Sequence, residues 1–116
     1  MAEDMPAARL TSALLVGALV KRVSAAGGFA MVLAKGDETS GIILVQIMEK
    51  GRETGIFERV SNFRGGYALM RCGPPAQEGA EAFAAYAERR RRSDPDLWLV
   101  ELDIADAERF AAETIC

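Results

Sequence analysis

No histidine occurs in the 116 residues of the chain. Its absence removes the side chain that most often acts as a general base near neutral pH. Ser–His and Cys–His nucleophile pairs and His-rich metal sites go with it. Cysteine is scarce: Cys72 and Cys116 are too few for a zinc site and suggest no disulfide framework. A reducing, cytoplasmic setting is the default expectation. The run Leu10 to Val20 is apolar but too short to span a bilayer. It follows Glu3-Asp4 rather than a basic leader, so it reads as a buried helix and not a signal peptide, and no membrane partner is expected. There is no internal repeat and no low-complexity linker. The chain reads as one domain over 1–116, with a loose arm over 1–9.

Half of the residues are hydrophobic and 27% are charged, a balance that supports a folded core. The net charge of −3 is unevenly spread. Residues 1–93 carry 13 basic and 10 acidic groups, or +3; residues 94–116 carry seven acids and one arginine, or −6. The simplest arrangement folds the acidic tail back on the basic body.

Thr11 or Ser12 can cap a helix to about Ala26, with Leu10, Ala13, Leu14, Val16, Val20 and Val23 as its apolar face and Gly27-Gly28 as its end. Phe29 to Lys35 and Ile42 to Lys50 read as strands around the loop Gly36 to Gly41. The run Ile42 to Met48 is apolar on both parities, as in a central strand covered on both faces. A loop over Gly51 to Gly55 leads into a hairpin whose two-residue turn is Gly65-Gly66. That register pairs Arg64 with Tyr67 and Phe63 with Ala68, and turns Phe57, Phe63, Ala68, Met70 and Cys72 inward. Gly73-Pro74-Pro75 breaks the sheet. A helix then runs from about Ala76 to Ser93 on the apolar face Ala80, Phe83, Tyr86 and Ala87, with Glu88 four residues before Arg92. A strand over Leu97 to Leu102 and a short helix from Asp103 or Asp106 through Ala111 complete the chain. The order is helix, four-strand meander, helix, strand, short helix. It predicts an α+β fold: a two-layer domain with a mainly antiparallel sheet of about five strands and helices packed on it.

The densest chemistry is Arg89-Arg90-Arg91-Arg92-Ser93-Asp94-Pro95-Asp96-Leu97-Trp98. Near Trp98 the arginines could form an anion or nucleic-acid patch. Four consecutive helical residues point in four directions, however, so a solvated helix end complementing the macrodipole is the simpler reading. Asp94 and Asp96 supply a fragment of a hard-cation site, or a turn in which Asp94 bonds local amides. Asp37 and Glu38 sit in the glycine-bounded loop, which lacks phosphate-loop spacing and reads as a hairpin loop. Phe57, Arg59 and Phe63 suggest a stacking platform that the inward register opposes. Cys72 reads as a small inert hydrophobe. Trp98, Val100 and Leu102 face one way and Leu97, Leu99 and Glu101 the other, which covers the strand on both sides and makes Trp98 an anchor.

The segment Ser93 to Glu101, with Lys21-Arg22, Gly36-Asp37, Gly41-Ile42-Ile43-Leu44-Val45 and the helix around Tyr86, resembles a small domain-of-unknown-function family. This family, catalogued under fourteen ninety-one, is seen mainly in alphaproteobacteria, and the resemblance covers roughly residues 9–103. It implies a bacterial cytosolic origin and one α+β domain, and it brings no catalytic residues to carry over. Residues 104–116 fall outside it as a variable C-terminal tail.

The expectation is therefore a non-enzymatic binding or interaction module without cofactor or metal, a homodimer through a sheet edge or the Trp98 strand, or a receiver of another protein. If it carries a ligand or partner surface, the residues that point there are Arg89, Arg92, Asp94, Asp96 and Trp98, with Asp37 and Glu38 as a second loop. The alternatives are a small-ligand binder or enzyme using these acids and an arginine, and a weak nucleic-acid binder. The net charge disfavours the last.

Overall fold

The computed structural model describes residues 10–116. The arm expected over 1–9 lies outside the described residues. The fold is α+β: α1 (Ser12–Ala25), β1 (Phe29–Ala34), β2 (Ile43–Glu49), β3 (Arg52–Ser61), β4 (Tyr67–Cys72), a 3₁₀ turn (Ala76–Glu78), α2 (Gly79–Ser93), β5 (Trp98–Asp103) and α3 (Ala107–Ile115).

The sheet order is β1-β5-β2-β3-β4. The four-strand meander is thus interrupted. The last strand takes neither edge but lies between β1 and β2, antiparallel to the first and parallel to the second. The residues explain the choice. Both faces of Leu97–Leu102 are apolar apart from Glu101, and such a strand is buried fully only at the centre. β1 is thereby left at an edge.

The helices also divide between the faces, which makes three layers where two were expected. α1 and α3 cover Ile43, Val45, Ile47, Phe57, Trp98, Val100 and Leu102. α2 covers Leu44, Ile56, Leu97 and Leu99 with Phe83 and Ala87. On α1 the buried stripe is Leu15, Val16, Leu19 and Val23, while Leu10 and Leu14 face solvent, contrary to the spacing argument. The stripe is set by the N-terminus: Thr11 is the cap and accepts from the Leu14 amide, and Ser12 is buried with its hydroxyl donating to the Gly41 carbonyl at 2.6 Å.

The turn chemistry moves one register. Two successive positive-φ residues occur at Lys50 (φ 54°) and Gly51 (φ 82°), so the two-residue turn joins β2 to β3, and no loop fills 51–55. The Asp103 carboxylate accepts from both of that turn's amides. In the β3–β4 hairpin only Gly65 has positive φ, and the loop is longer. Asn62 donates its amide to the Gly66 carbonyl, and its side-chain oxygen accepts from the Arg64 and Gly66 amides. The pairs become Ser61↔Tyr67, Glu58↔Met70, Phe57↔Arg71 and Ile56↔Cys72. Phe57 stays inward, but Phe63 is fully exposed at the loop tip, and Met70 and Ala68 are exposed. Cys72 faces α2, on the side opposite Phe57.

The acidic tail does fold back. α3 buries Ala107, Ala111 and Ile115 against α1 and the sheet, and Glu113 pairs with Arg22 at 3.7 Å. Arg59 stacks over Tyr67 and donates from Nε to the Ile115 carbonyl, closing the C-terminal end of α3.

Candidate functional site

The structure brings the two acidic segments together through backbone rather than through their carboxylates. The Asp37 amide donates to the Asp96 carbonyl at 2.9 Å, the Trp98 amide donates to the Ile42 carbonyl at 2.7 Å, and Trp98 Nε1 donates to the Asp37 carbonyl at 2.7 Å. Gly36 and Gly41 clasp the same carbonyl: a Cβ at either would lie 2.1 Å from the Asp96 oxygen. Glu38 and Thr39 turn their carbonyls to the first amides of α1, at Ala13 and Ser12. One junction therefore seats Trp98, the loop and the start of α1.

Its side chains are engaged locally. The Asp37 carboxylate accepts from the Ser40 and Thr39 amides, and the Ser40 amide leads in holding its pKa below the usual range. Glu38 pairs with Lys35 at 3.7 Å. Asp94 accepts from the Asp96 amide at 3.1 Å, and the Asp96 side chain is exposed. Trp98, 4% exposed, is core. Among the described residues no three metal-ligating side chains converge.

The arginines fan out. Arg92 pairs with Glu88 at 3.4 Å, and Arg89 lies 5.9 Å from the Tyr86 ring. Arg90 turns inward, bonding the Tyr86 hydroxyl at 2.8 Å and Glu58 at 3.0 Å. That network ties α2 to β3. Burial pushes the neighbouring Cys72 thiol up, which fits an inert half-buried group. Arg90→Ala should therefore cost roughly 1–2 kcal/mol and Arg91→Ala less than about 0.5, as thermal melts of the two variants would read.

A surface that sequence reasoning missed lies on β1. Because β5 takes one side of β1, the other carries backbone amides and carbonyls with no strand partner among the described residues. The side chains of Phe29, Met31, Val32 and Leu33 are between 38% and 48% exposed. A bulge between Val32 and Ala34 leaves Phe29 to Val32 as the regular part of the edge. Beside it runs the part of the sheet that α2 leaves open. One row crosses all five strands at the boundary of that part: Met31, Glu101 and Gln46, then Ile56 and Cys72, which pack with α2. The next row is Phe29, Asp103, Met48, Glu53.

Gln46 is 8% exposed, and its side-chain carboxamide makes no hydrogen bond among the described residues. Burial, with Glu53 and Asp103 nearby, pushes the Glu101 carboxyl up. The folded state thus holds that proton more tightly than the unfolded chain does. The resulting stabilisation is complete below the ordinary glutamate pKa of about 4.3 and is lost as pH rises through the raised value. Glu101→Gln should raise the Tm at pH 7, and the gain should vanish in melts at about pH 4 or below.

The signals for this surface were Gln46, the one polar residue within Ile43 to Met48, and a β1 stretch with no charge between Phe29 and Ala34. On the opposite face, a shallow depression of about 500 Å³ lies between β3 and the start of α3. Arg71 crosses it, held over Phe57 in space that the missing Cβ of Gly55 leaves free. Carboxylates and guanidiniums both line it, including the Asp106–Arg109 pair, so no single charge type is selected.

No helix among the described residues is long and apolar enough to cross a membrane. No curated protein matches the chain. Among solved structures, a solution structure of an A. tumefaciens protein is 36% identical, with 84% of this chain and 88% of that one covered at a TM-score of 0.71. A crystal structure of a DUF1491 family protein from Caulobacter crescentus is 33% identical, with 87% and 94% covered at 0.76. An NMR structure of a DUF1491 family protein from the same organism is 34% identical, with 87% and 91% covered at 0.70. The family model described as a protein of unknown function, DUF1491, matches residues 10–112. The chain belongs to the DUF1491 family.

Proposed function

We propose that the chain is a non-enzymatic interaction module of the cytoplasm that receives a strand from another protein along β1. The observation that carries this reading is the edge Phe29 to Val32, which has no strand partner on its outer side among the described residues and is flanked by large exposed apolar side chains. Natural sheets guard such edges with charges, prolines or cover. The opposite edge strand, β4, carries Arg71, whereas β1 carries neither charge nor proline. Strand addition answers the free backbone groups, and alternate side chains supply the apolar contact. The cytoplasmic setting accords with two free cysteines.

A neutral strand-forming peptide, acetyl-Thr-Val-Thr-Val-Thr-Val-Thr-amide, is expected to shift the amide resonances of Phe29 to Leu33 and to slow their hydrogen exchange. No change there at millimolar peptide would reject the reading. A second copy is the competing occupant, and sedimentation equilibrium of the wild type against Phe29→Lys reads that case. A dimer that the substitution dissolves assigns the edge to self-pairing.

A further inference from the structure

The composition of the strip beside the edge narrows what β1 receives, given that it receives a strand at all. Met31 is the outermost member of its row, and Glu101 and Gln46 follow it inward. Glu101 is half-buried, and no lysine or arginine lies within ion-pair distance of Glu53, Glu101 or Asp103 among the described residues. Asp103 is occupied by the Lys50 and Gly51 amides. Glu101 and the buried Gln46 amide therefore form a polar notch with no answering group, bordered by the flexible apolar side chains of Met31 and Met48. A buried polar group left without a partner is destabilising, so a ligand that supplies donors there gains what the free protein lacks.

We propose that the strand β1 receives is a basic one, which sets an arginine or lysine opposite Met31 so that its head group crosses the methionine to reach Glu101 and Gln46. An added strand lies about 4.8 Å beyond β1 and so about 10 Å from β5. Only a long side chain covers that gap, and an apolar stem with a cationic head matches a path over a thioether to a carboxylate. A second copy does not fit. When two copies overlap along Phe29 to Val32 with their faces preserved, the residue opposite Met31 is Phe29 or Met31, and neither donates a hydrogen bond.

The test uses the intact chain and two peptides differing at one residue, acetyl-Thr-Val-Thr-Arg-Thr-Val-Thr-amide and its glutamate-centred twin. Resonance shifts at Phe29 to Val32 serve as the readout. The arginine peptide is expected to bind at least about tenfold tighter at low salt, with the preference shrinking as salt is raised. In Glu101→Gln the preference should fall to within about twofold, while Glu53→Gln should retain most of it. Equal affinity for both peptides, with shifts at β1, would overturn the basic-strand proposal and leave the edge reading standing. No shift at β1 with either peptide would overturn both. A dimer through β1 that excludes the arginine peptide would overturn the proposal in favour of self-pairing.

Discussion

Trp98→Ala is expected to cost about 3–5 kcal/mol, a large share of the 5–15 kcal/mol that holds a domain of this size folded. Three contributions combine at this position. The ring sits in the core beneath α1 and α3. Its Nε1–H satisfies the Asp37 carbonyl, which truncation would leave without that donor. It also backs Gly41, whose missing Cβ would stand 3.0 Å from the Trp98 Cδ1. On the scale of about 4–8 °C per kcal/mol for a domain near 100 residues, the Tm should fall by roughly 15 °C or more. Trp98→Phe separates the parts, because it keeps most of the apolar area and loses the donor, at about 1–2 kcal/mol. Gly41→Ala tests the junction from the other side. An added methyl group meets backbone rather than a movable side chain, so the loop must shift. If Trp98→Ala melted within a few degrees of wild type, the junction would not be what seats the loop, the start of α1 and β5.

Phe83→Ala is the second large effect, again about 3–5 kcal/mol. α2 reaches the sheet through one large buried side chain, Phe83, which is fully buried among Leu44, Ile56, Leu97 and Leu99. Its other buried residue is Ala87. Most of the remaining surface of α2 is polar or alanine, and Tyr86, at the margin of the cluster, is only partly buried. Phe83→Leu should cost nearer 1 kcal/mol, since the site keeps most of its volume. Denaturant melts of the pair give the difference directly. Equal losses would mean that the Tyr86–Arg90–Glu58 network, and not the phenylalanine, holds the helix.

The sequence made some of this plain and hid the rest for physical reasons. Thr11 as a cap, the Glu88–Arg92 pair, the two-faced burial of β2 and β5 and the Asp94 turn all rest on contacts a few residues apart or on short runs apolar on both parities. Such features are local, and they were legible. The hairpin register failed because Gly65-Gly66 has the composition of a two-residue turn, whereas Asn62 draws the chain into a longer loop. The real two-residue turn uses Lys50, a residue that composition does not nominate. The placement of β5 is a long-range choice that no local signal reports, and it decides which strand becomes an edge. Charge is dense in sequence at the arginine run and the aspartates. In the fold those charges mostly serve turns, caps and one internal network. The edge at Phe29 to Val32 and the notch at Glu101 and Gln46 exist only once β5 has been inserted.

The most direct measurement of whether β1 is the working surface is a set of intermolecular nuclear Overhauser contacts between the labelled chain and the arginine-centred peptide. An interstrand pattern along Phe29 to Val32 is expected, with the arginine head group close to Met31 and Glu101. Contacts mapping instead to the Arg71 depression, or to the exposed arginines of α2, would contradict it.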